Sequence, residues 1–185
     1  AGTELVIDAT GVGRPVFDLF VYSGIAPIGV TITGGTAETC TGRMCNVPKL
    51  TFVSGVQALL HQGRLKILRE LPEAETLVRE LQDYKVEFSP TGHLTFNART
   101  GRHDDLVLAL AIACWRARGG GMASRGLYEF YRAAAAEVEG RELQRDDYVV
   151  GLDLGQARDP TAICVVRHRL GQATATGLST AGSLA

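Results

Sequence analysis

The chain has 185 residues, 45% of them hydrophobic and 21% charged, which is typical of a globular protein of about one domain. The formal net charge of −1 excludes a chain that binds nucleic acid through its overall charge, so DNA contacts would need a local basic patch or bound metal ions. No apolar run approaches the roughly 18 residues needed to span a membrane, and the N-terminus lacks a signal-peptide pattern.

The four cysteines, Cys40, Cys45, Cys114 and Cys164, favour neither a zinc site nor a disulfide framework. Four residues lie between Cys40 and Cys45 and no second close pair follows, which is poor spacing for zinc. Cys114 lies in an apolar run, where cysteine is usually a small core residue. We therefore expect a protein of the reducing cytoplasm.

The first half of the chain alternates between short β-branched runs and helical patterns, which predicts an α/β layered domain. Strands are predicted at 4–8, 28–32 and 64–68, and helices at 15–22, 49–62 and 73–84, with a surface loop over 36–47. The inward positions of the second and third helices are predicted to be Leu50, Val53, Val56, Leu59, Leu60, Leu77, Val78 and Leu81.

The second half of the chain begins with a predicted hairpin, 85–88 and 94–97, around a Pro-Thr-Gly turn. A strongly apolar helix is predicted over 104–116, a glycine run ends it, and an Ala-rich helix follows over 127–139. Two further strands are predicted at 148–152 and 161–167. The Gly-, Ala-, Thr- and Ser-rich tail over 171–185 is expected to be disordered.

Two predicted strands end in an aspartate followed closely by glycine, in IDATG at Asp8 and in LDLG at Asp153. The carboxyl ends of strands form the functional edge of an open α/β sheet, so the two carboxylates converge if their strands are neighbours. Converging carboxylates repel unless they share a proton or a cation, and Mg²⁺ or Mn²⁺ suits an all-oxygen site. The pattern therefore indicates a metal site.

A third acidic element, Asp104 and Asp105, follows His103 and precedes the apolar helix. A helix start that delivers acids to a strand-end pair would complete a cluster able to hold two cations for phosphodiester hydrolysis. Each residue also has an ordinary interpretation when taken alone. Asp8 and Asp153 suit turns, and Asp104 and His103 suit helix caps.

Three stretches resemble the nuclease domain of phage terminase large subunits: LVIDATGVGRPVFDLF at 5–20, GRHDDLVLALAIACW at 101–115 and YVVGLDLGQARDPTAICVV at 148–166. The shorter runs VTITGG, NVPK and GRLKI, between the first two, are similar to that family as well. The resemblance covers most of residues 3–118 and 147–167, and the combination of motifs is specific.

The resemblance implies a ribonuclease-H-like mixed sheet flanked by helices, whose acids bind two divalent cations, Mg²⁺ or Mn²⁺, and cut DNA. By motif, Asp153 matches the aspartate of the first strand and Asp8 that of the fourth. Asp104 and Asp105 match the acidic pair at the start of the last helix, and either could be the ligand. Weaker candidates for the site or for substrate contact are Asp159, His103, Lys49 and Arg14.

The order of the motifs departs from the family, in which the DLG strand comes first and two strands separate it from IDATG. Here the DLG strand comes last, and most of the region between the second and third strands is expected to be missing. The domain is therefore either circularly permuted, with the DLG strand returning beside strand 4–8, or fragmentary. We expect residues 1–118 to form the main part of the nuclease domain, 119–146 a helical linker or crossover, 147–170 the first-strand hairpin and 171–185 the tail.

The function implied is a divalent-metal-dependent DNA endonuclease of viral DNA packaging. Its expected partners are double-stranded DNA and a terminase ATPase, small subunit or portal, with no membrane, in the host-cell cytoplasm. Because no GxxxxGK[ST] loop is present, the chain itself is not the ATP-driven motor. The main alternative is an inactive prophage remnant that acts only as a structural or binding module. Weaker alternatives are an actin-like kinase, from DLG with Thr161, and a dinucleotide site, from Gly11 and Gly13.

Overall fold

The computed structural model describes residues 3–88, 94–98, 104–120, 147–155, 161–169 and 172–181. The elements, in chain order, are β1 (Thr3–Asp8), α1 (Gly13–Tyr22), β2 (Ile28–Thr33), β3 (Thr39–Thr41), β4 (Met44–Pro48), α2 (Lys49–His61), β5 (Leu65–Ile67), α3 (Ala74–Asp83), β6 (Tyr84–Phe88), β7 (Leu94–Ala98), α4 (Asp105–Ala117), β8 (Asp147–Asp153), β9 (Thr161–Arg169) and β10 (Gln172–Ala181).

Eight strands form one mixed sheet in the order β3-β4-β2-β1-β8-β9-β10-β5, and β6 and β7 form a separate antiparallel hairpin. Strand β8 lies between β1 and β9, parallel to β1 and antiparallel to β9. Its register with β1 sets Leu5 opposite Val150 and Ile7 opposite Leu152. The DLG strand therefore returns to lie beside the IDATG strand in one mixed sheet, which is the pairing expected if the domain is permuted.

The helices cover both faces of the sheet. Val6 and Gly151 lie on the face that packs against α4, the helix that makes up much of the core. Ile7 pairs with Gly29, and a side chain added at Gly29 would meet Phe17 of α1, so α1 covers the opposite face. Of the helices in the described ranges, none combines the length and the apolarity that crossing a bilayer requires.

Helix α4 packs closely on β8 because Gly151 has no side chain. A methyl group at Gly151 would overlap the carbonyl oxygen of Ala109 in α4. Residues 109–114 of α4 are all buried, as the apolar sequence predicted. This close contact fixes the position of α4 relative to the strand that ends in Asp153.

The prediction of a surface loop over residues 36–47 is wrong, because these residues contain the β3-β4 hairpin. Strand β4 also pairs in parallel with β2, and Cys45 and Val47 are buried against the core. The register sets Cys40 directly opposite Cys45, and the two form a disulfide that the sequence analysis did not predict. The prediction failed because these strands are short and carry polar residues on their outward side, so the alternation of apolar and polar residues typical of a strand is not recognisable in the sequence.

The prediction of a disordered tail over residues 171–185 is wrong where the chain forms β10. This strand pairs with β9 on one side and with β5 on the other. Its buried side chains, Ala173, Ala175 and Leu178, are mostly small. Because small residues are also common in linkers, the composition of this segment resembles that of a linker. Strands β9 and β10 extend the sheet beyond β8.

Some predicted inward positions are exposed. Leu50, Leu60 and Val78 are each about two-fifths exposed, whereas Phe52 of α2, which was not predicted, is buried. The true inner face of α2 is Phe52, Val53, Val56 and Leu59, rotated from the expected one because the helix packs on α4. The predicted helix over 127–139 and the turn at 90–92 lie outside the described residues.

Candidate active site

Asp8 and Asp153 end two neighbouring parallel strands. Since Ile7 pairs with Leu152, the two aspartates occupy the next register position, on the face that packs against α4. Neighbouring strands lie about 4.8 Å apart, so their carboxylates share one small region. Within the described ranges, the buried charged side chains are Asp8 (9% exposed), Asp105 (9%) and Asp153 (8%).

The turn after β1 holds Asp8 in place. The Thr10 backbone N–H donates to Asp8 Oδ1 at 2.8 Å, and Thr10 Oγ1 accepts a hydrogen bond from the Ile32 backbone N–H at 3.0 Å. Helix α1 begins so close to the strand that a methyl group at Gly13 would overlap the Asp8 carbonyl oxygen. Sequence reasoning missed Thr10, although a threonine two residues after a strand-end aspartate is a recognisable turn signal.

The turn after β8 has a corresponding tie. The Gly155 backbone N–H donates to Thr161 Oγ1 at 3.3 Å, which joins the DLG turn to the start of β9. Thr161 had been considered for the kinase interpretation only, and here its hydroxyl has a local structural contact. The hydrogen bond orients the strand end on which Asp153 stands.

Asp104 and Asp105 stand at the start of α4. Asp104 flanks the helix, but its side chain makes no capping hydrogen bond, so the ordinary cap interpretation is wrong. Instead, Lys49 Nζ at the start of α2 lies 3.4 Å from Asp104 Oδ2, with both side chains 25% exposed. The carboxylate that caps α4 comes from another helix, because Glu80 Oε2 of α3 accepts from the Val107 backbone N–H at 3.1 Å.

The four aspartates interact electrostatically. The pKa of Asp153 is raised to about 8, mainly by burial and then by the negative charges of Asp8, Asp105 and Asp104, while Lys49 lowers it. Burial also raises the pKa of Asp8, against the hydrogen bonds from Thr10 and the charge of Lys49, which lower it. In the metal-free protein Asp153 therefore retains its proton near neutral pH, because burial, and then the negative charges beside it, disfavour the ionised carboxylate.

The donor set suits a hard divalent cation, since the carboxylates provide oxygen ligands alone. Among the described residues, no three His, Cys, Asp or Glu side chains are already arranged as a coordination group. The acids are thus close enough to repel one another without forming a ready cage. Asp8, Asp105 and Asp153 are the buried residues that could hold a cation, and Asp104 is next to them with Lys49.

Of the weaker candidates, Arg14 is described and has its contacts along α1 instead of at this cluster. Arg14 lies 3.5 Å from Asp18 one turn along α1 and 5.7 Å from the centre of the Phe17 ring, with its side chain more than half exposed. His103 and Asp159 lie outside the described residues. Of the candidates for substrate contact, Lys49 is therefore the one that the described structure places beside the acids.

A groove of about 520 Å³ lies between α2 and the end of α4, lined by residues that include Gly55, Trp115 and Arg118. At one wall the Trp115 Nε1–H donates to Glu38 Oε2 at 3.0 Å. None of the four aspartates lines this groove, so it is separate from the acidic cluster.

Comparison with known proteins gives one family. The model of the terminase RNaseH-like domain family matches residues 2–115, which is more than half of the chain. No curated protein and no solved structure matches the chain. The matched stretch contains Asp8, Asp104 and Asp105, whereas Asp153 lies beyond it and joins them only through the fold.

Proposed function

The chain belongs to the terminase RNaseH-like domain family, and from this membership we propose that it is a divalent-metal-dependent DNA endonuclease that hydrolyses phosphodiester bonds during viral DNA packaging. The observation that supports the proposal is the buried cluster at the ends of β1 and β8. There Asp8 and Asp153 share one region with the acidic start of α4. The pKa of Asp153 is raised to about 8 by burial and then by the neighbouring negative charges, and a bound cation would favour the ionised carboxylate that both disfavour.

We assign cation binding to Asp8, Asp105 and Asp153. Asp105 is preferred over Asp104 because it is buried, and because its charge affects Asp153 more strongly than that of Asp104 does. When bound, Mg²⁺ or Mn²⁺ ions would supply a hydroxide nucleophile from water near neutral pH and stabilise the negative charge on the leaving oxygen. The family uses two such ions, and two is the number proposed here.

The chain's own residues prepare the site in three ways. The Thr10 backbone N–H orients Asp8, and the closely packed α4 brings Asp105 to the end of β8. The buried position excludes bulk water from the carboxylates. Asp153 must lose its proton to bind a cation, so binding is coupled to proton release and is stronger at higher pH.

Lys49 is proposed to contact the DNA phosphate beside the cut bond. Its ammonium group lies 3.4 Å from Asp104 and partly offsets the charge of the cluster. Since the net charge of the chain is −1, DNA binding would depend on such a local cation together with the bound metal ions. Double-stranded DNA is the proposed substrate, and a terminase ATPase, small subunit or portal the proposed partners, in the host cytoplasm.

Residues 1–118 and 147–170, together with β10, are proposed to form one permuted nuclease domain, with 119–146 as its crossover. Strand β8 pairs with β1 over five residue pairs, which supports one shared sheet. The alternative function is an inactive module that binds partners without cutting DNA. The absence of a preformed coordination group among the described residues is the observation that favours it.

Nicking of supercoiled plasmid DNA by the purified chain with Mn²⁺, Mg²⁺ or EDTA tests the proposal. We expect cleavage with metal, none with EDTA, and a loss of about 100-fold or more in Asp8→Asn, Asp105→Asn and Asp153→Asn. Asp18→Asn is the matched control, because Asp18 is an exposed aspartate of α1. Cleavage that survives in Asp153→Asn would show that β8 does not complete the site.

A folded protein that binds DNA but cleaves it with neither metal would contradict the nuclease proposal and support the binding module. Isothermal calorimetry with Mn²⁺ and no DNA separates these cases further, because a nuclease site must bind the ion whether or not the DNA chosen is its substrate.

A further inference from the structure

The start of α4 is capped by a residue that is distant in sequence. The first N–H groups of a helix have no partner within the helix, and a flanking aspartate normally accepts from the second or third of them. In α4 those positions are Leu106 and Val107, and the flanking residue is Asp104. Both N–H groups donate instead to the Glu80 carboxylate, with the Val107 bond at 3.1 Å.

This exchange determines what Asp104 can do. Since Glu80 occupies the capping position, the Asp104 carboxylate is turned away from its own helix and meets Lys49 at 3.4 Å. Asp104 and the adjacent Asp105 then contribute their charges to the cluster around Asp153. Without Glu80, the Asp104 carboxylate could accept from these N–H groups, as a flanking aspartate normally does.

We propose that Glu80 is a positioning residue, which caps α4 so that Asp104 and Asp105 face Lys49 and Asp153 instead of the helix backbone. The proposal rests on the proposed metal-binding function of the cluster. Glu80 is not placed among the cation ligands, because its contacts are with backbone N–H groups.

The choice of glutamate is costly unless it serves such a role. The pKa of Glu80 is raised to about 7, mainly by burial and then by the negative charges of Asp105 and Asp104, against the two backbone hydrogen bonds, which lower it. A neutral cap such as serine or asparagine at the flanking position would satisfy the same N–H groups without adding an acid to an acidic cluster. Glu80 comes one helical turn after Leu77, which is fully buried in the core, so α3 holds it firmly.

The test compares Glu80→Ala and Glu80→Gln with the unmodified 185-residue chain. Glutamine keeps an oxygen that can accept from Leu106 and Val107, whereas alanine removes it. We expect Glu80→Ala to bind Mn²⁺ at least about tenfold more weakly, because loss of a group that orients a metal ligand typically costs that much affinity. Glu80→Gln should retain most of the affinity. Glu75→Ala, an exposed glutamate of the same helix, is the control and should bind Mn²⁺ normally.

Two measurements without DNA give the result. Electron paramagnetic resonance during a Mn²⁺ titration gives the affinity for the ion, and hydrogen exchange of the Leu106 and Val107 amides reports on the cap. Faster exchange in Glu80→Ala with unchanged Mn²⁺ affinity would overturn the proposal, since Glu80 would then only stabilise the helix. Equal loss of affinity in Glu80→Gln would overturn it too, because charge and not capping would matter.

The two proposals fail in different ways. An unmodified chain that binds no Mn²⁺ overturns the nuclease function and this role with it, whereas normal binding in both the unmodified chain and Glu80→Ala overturns the role of Glu80 alone. If Glu80→Ala does not fold, the Glu80→Gln result decides, because the proposal requires that variant to fold and to bind.

Discussion

At the scale of single residues, the candidate site is defined by acids that the folded chain keeps from ionising together. Asp153 has a pKa of about 8, far above its usual value of 3.8, mainly because of burial and then because of Asp8, Asp105 and Asp104. Between about pH 4 and pH 8 the unfolded chain has therefore released a proton that the folded chain retains. Since the unfolded state binds fewer protons in this window, the free energy of unfolding falls as the pH rises.

The first prediction concerns this pH dependence. In EDTA, we expect the free energy of unfolding to fall between pH 5 and pH 8. Asp153→Asn should reduce that fall by at least about 1.4 kcal/mol, the equivalent of one pKa unit. Urea titrations at the two pH values measure it, and Asp18→Asn, on the exposed face of α1, should keep the original slope. An unchanged slope in Asp153→Asn would mean that Asp153 is ionised in the folded chain.

Lys49 and Arg14 were both weaker candidates for substrate contact, and their surroundings in the structure differ. Lys49 pairs with Asp104 at 25% exposure on each side, and its charge acts on both Asp8 and Asp153. Arg14 pairs with Asp18 in a largely exposed setting. The positive charge of Lys49 therefore compensates the buried acidic cluster, whereas that of Arg14 lies on a solvated helix surface.

The second prediction follows from that difference. In the metal-free protein, Lys49→Met should lower the free energy of unfolding at pH 8 by about 1–2 kcal/mol, because the acids lose their compensating charge. Arg14→Met should change it by less than about 0.5 kcal/mol. Chemical denaturation of both variants in EDTA is the measurement, and equal effects would contradict the assignment of Lys49 to the cluster.

At the scale of elements, the site depends on how α4 lies on β8. The helix starts at Asp105, next to the end of the strand at Asp153, and the two approach closely where Gly151 meets Ala109. Any residue larger than glycine at position 151 must push the helix away from the sheet. The same displacement would move the acidic start of α4 away from the strand-end acids.

The third prediction is that Gly151→Ala destabilises the protein by about 1–3 kcal/mol, the usual cost of overpacking, and weakens Mn²⁺ binding. Gly34→Ala is the matched control, since an added methyl group there would meet no atom within 4 Å. Urea denaturation and Mn²⁺ titration of both variants check it. A Gly151→Ala protein as stable as the control would show that α4 can shift without loss.

At the scale of the whole molecule, the sheet is completed by the end of the chain. Strand β10 lies between β9 and β5, and its buried residues Ala173, Ala175 and Leu178 belong to the main core. Strand β5 has no other strand neighbour in the described sheet. The C-terminal segment is therefore part of the folding unit in spite of its linker-like composition.

The fourth prediction concerns truncation. A chain ending at residue 170 should lose cooperative unfolding, because it leaves β9 and β5 with unpaired backbone groups and exposes the core beneath them. A chain ending at Ala181 retains β10 and should unfold as the 185-residue chain does. Thermal unfolding followed by circular dichroism compares them, and a stable chain of 170 residues would mean that β10 is dispensable.

The sequence by itself determined the elements whose pattern is local. Asp8 and Asp153 were identified because apolar β-branched runs end at them, and α4 was identified because its apolar residues continue for three turns. The candidate acids could therefore be named before the fold was known. The β3-β4 hairpin and β10 could not, since short strands of small or polar residues resemble loops until their pairing partners are in place.

Only the tertiary structure decided which of these pieces meet. Pairing of β8 with β1 joins Asp153 to Asp8 across more than 140 residues, and no local pattern records such a contact. The same holds for Glu80, whose capping of α4 turns Asp104 from an ordinary helix cap into a partner of Lys49. Local propensity shows which residues suit an element, whereas burial, pKa and hydrogen-bond partner depend on groups that only the folded chain brings together.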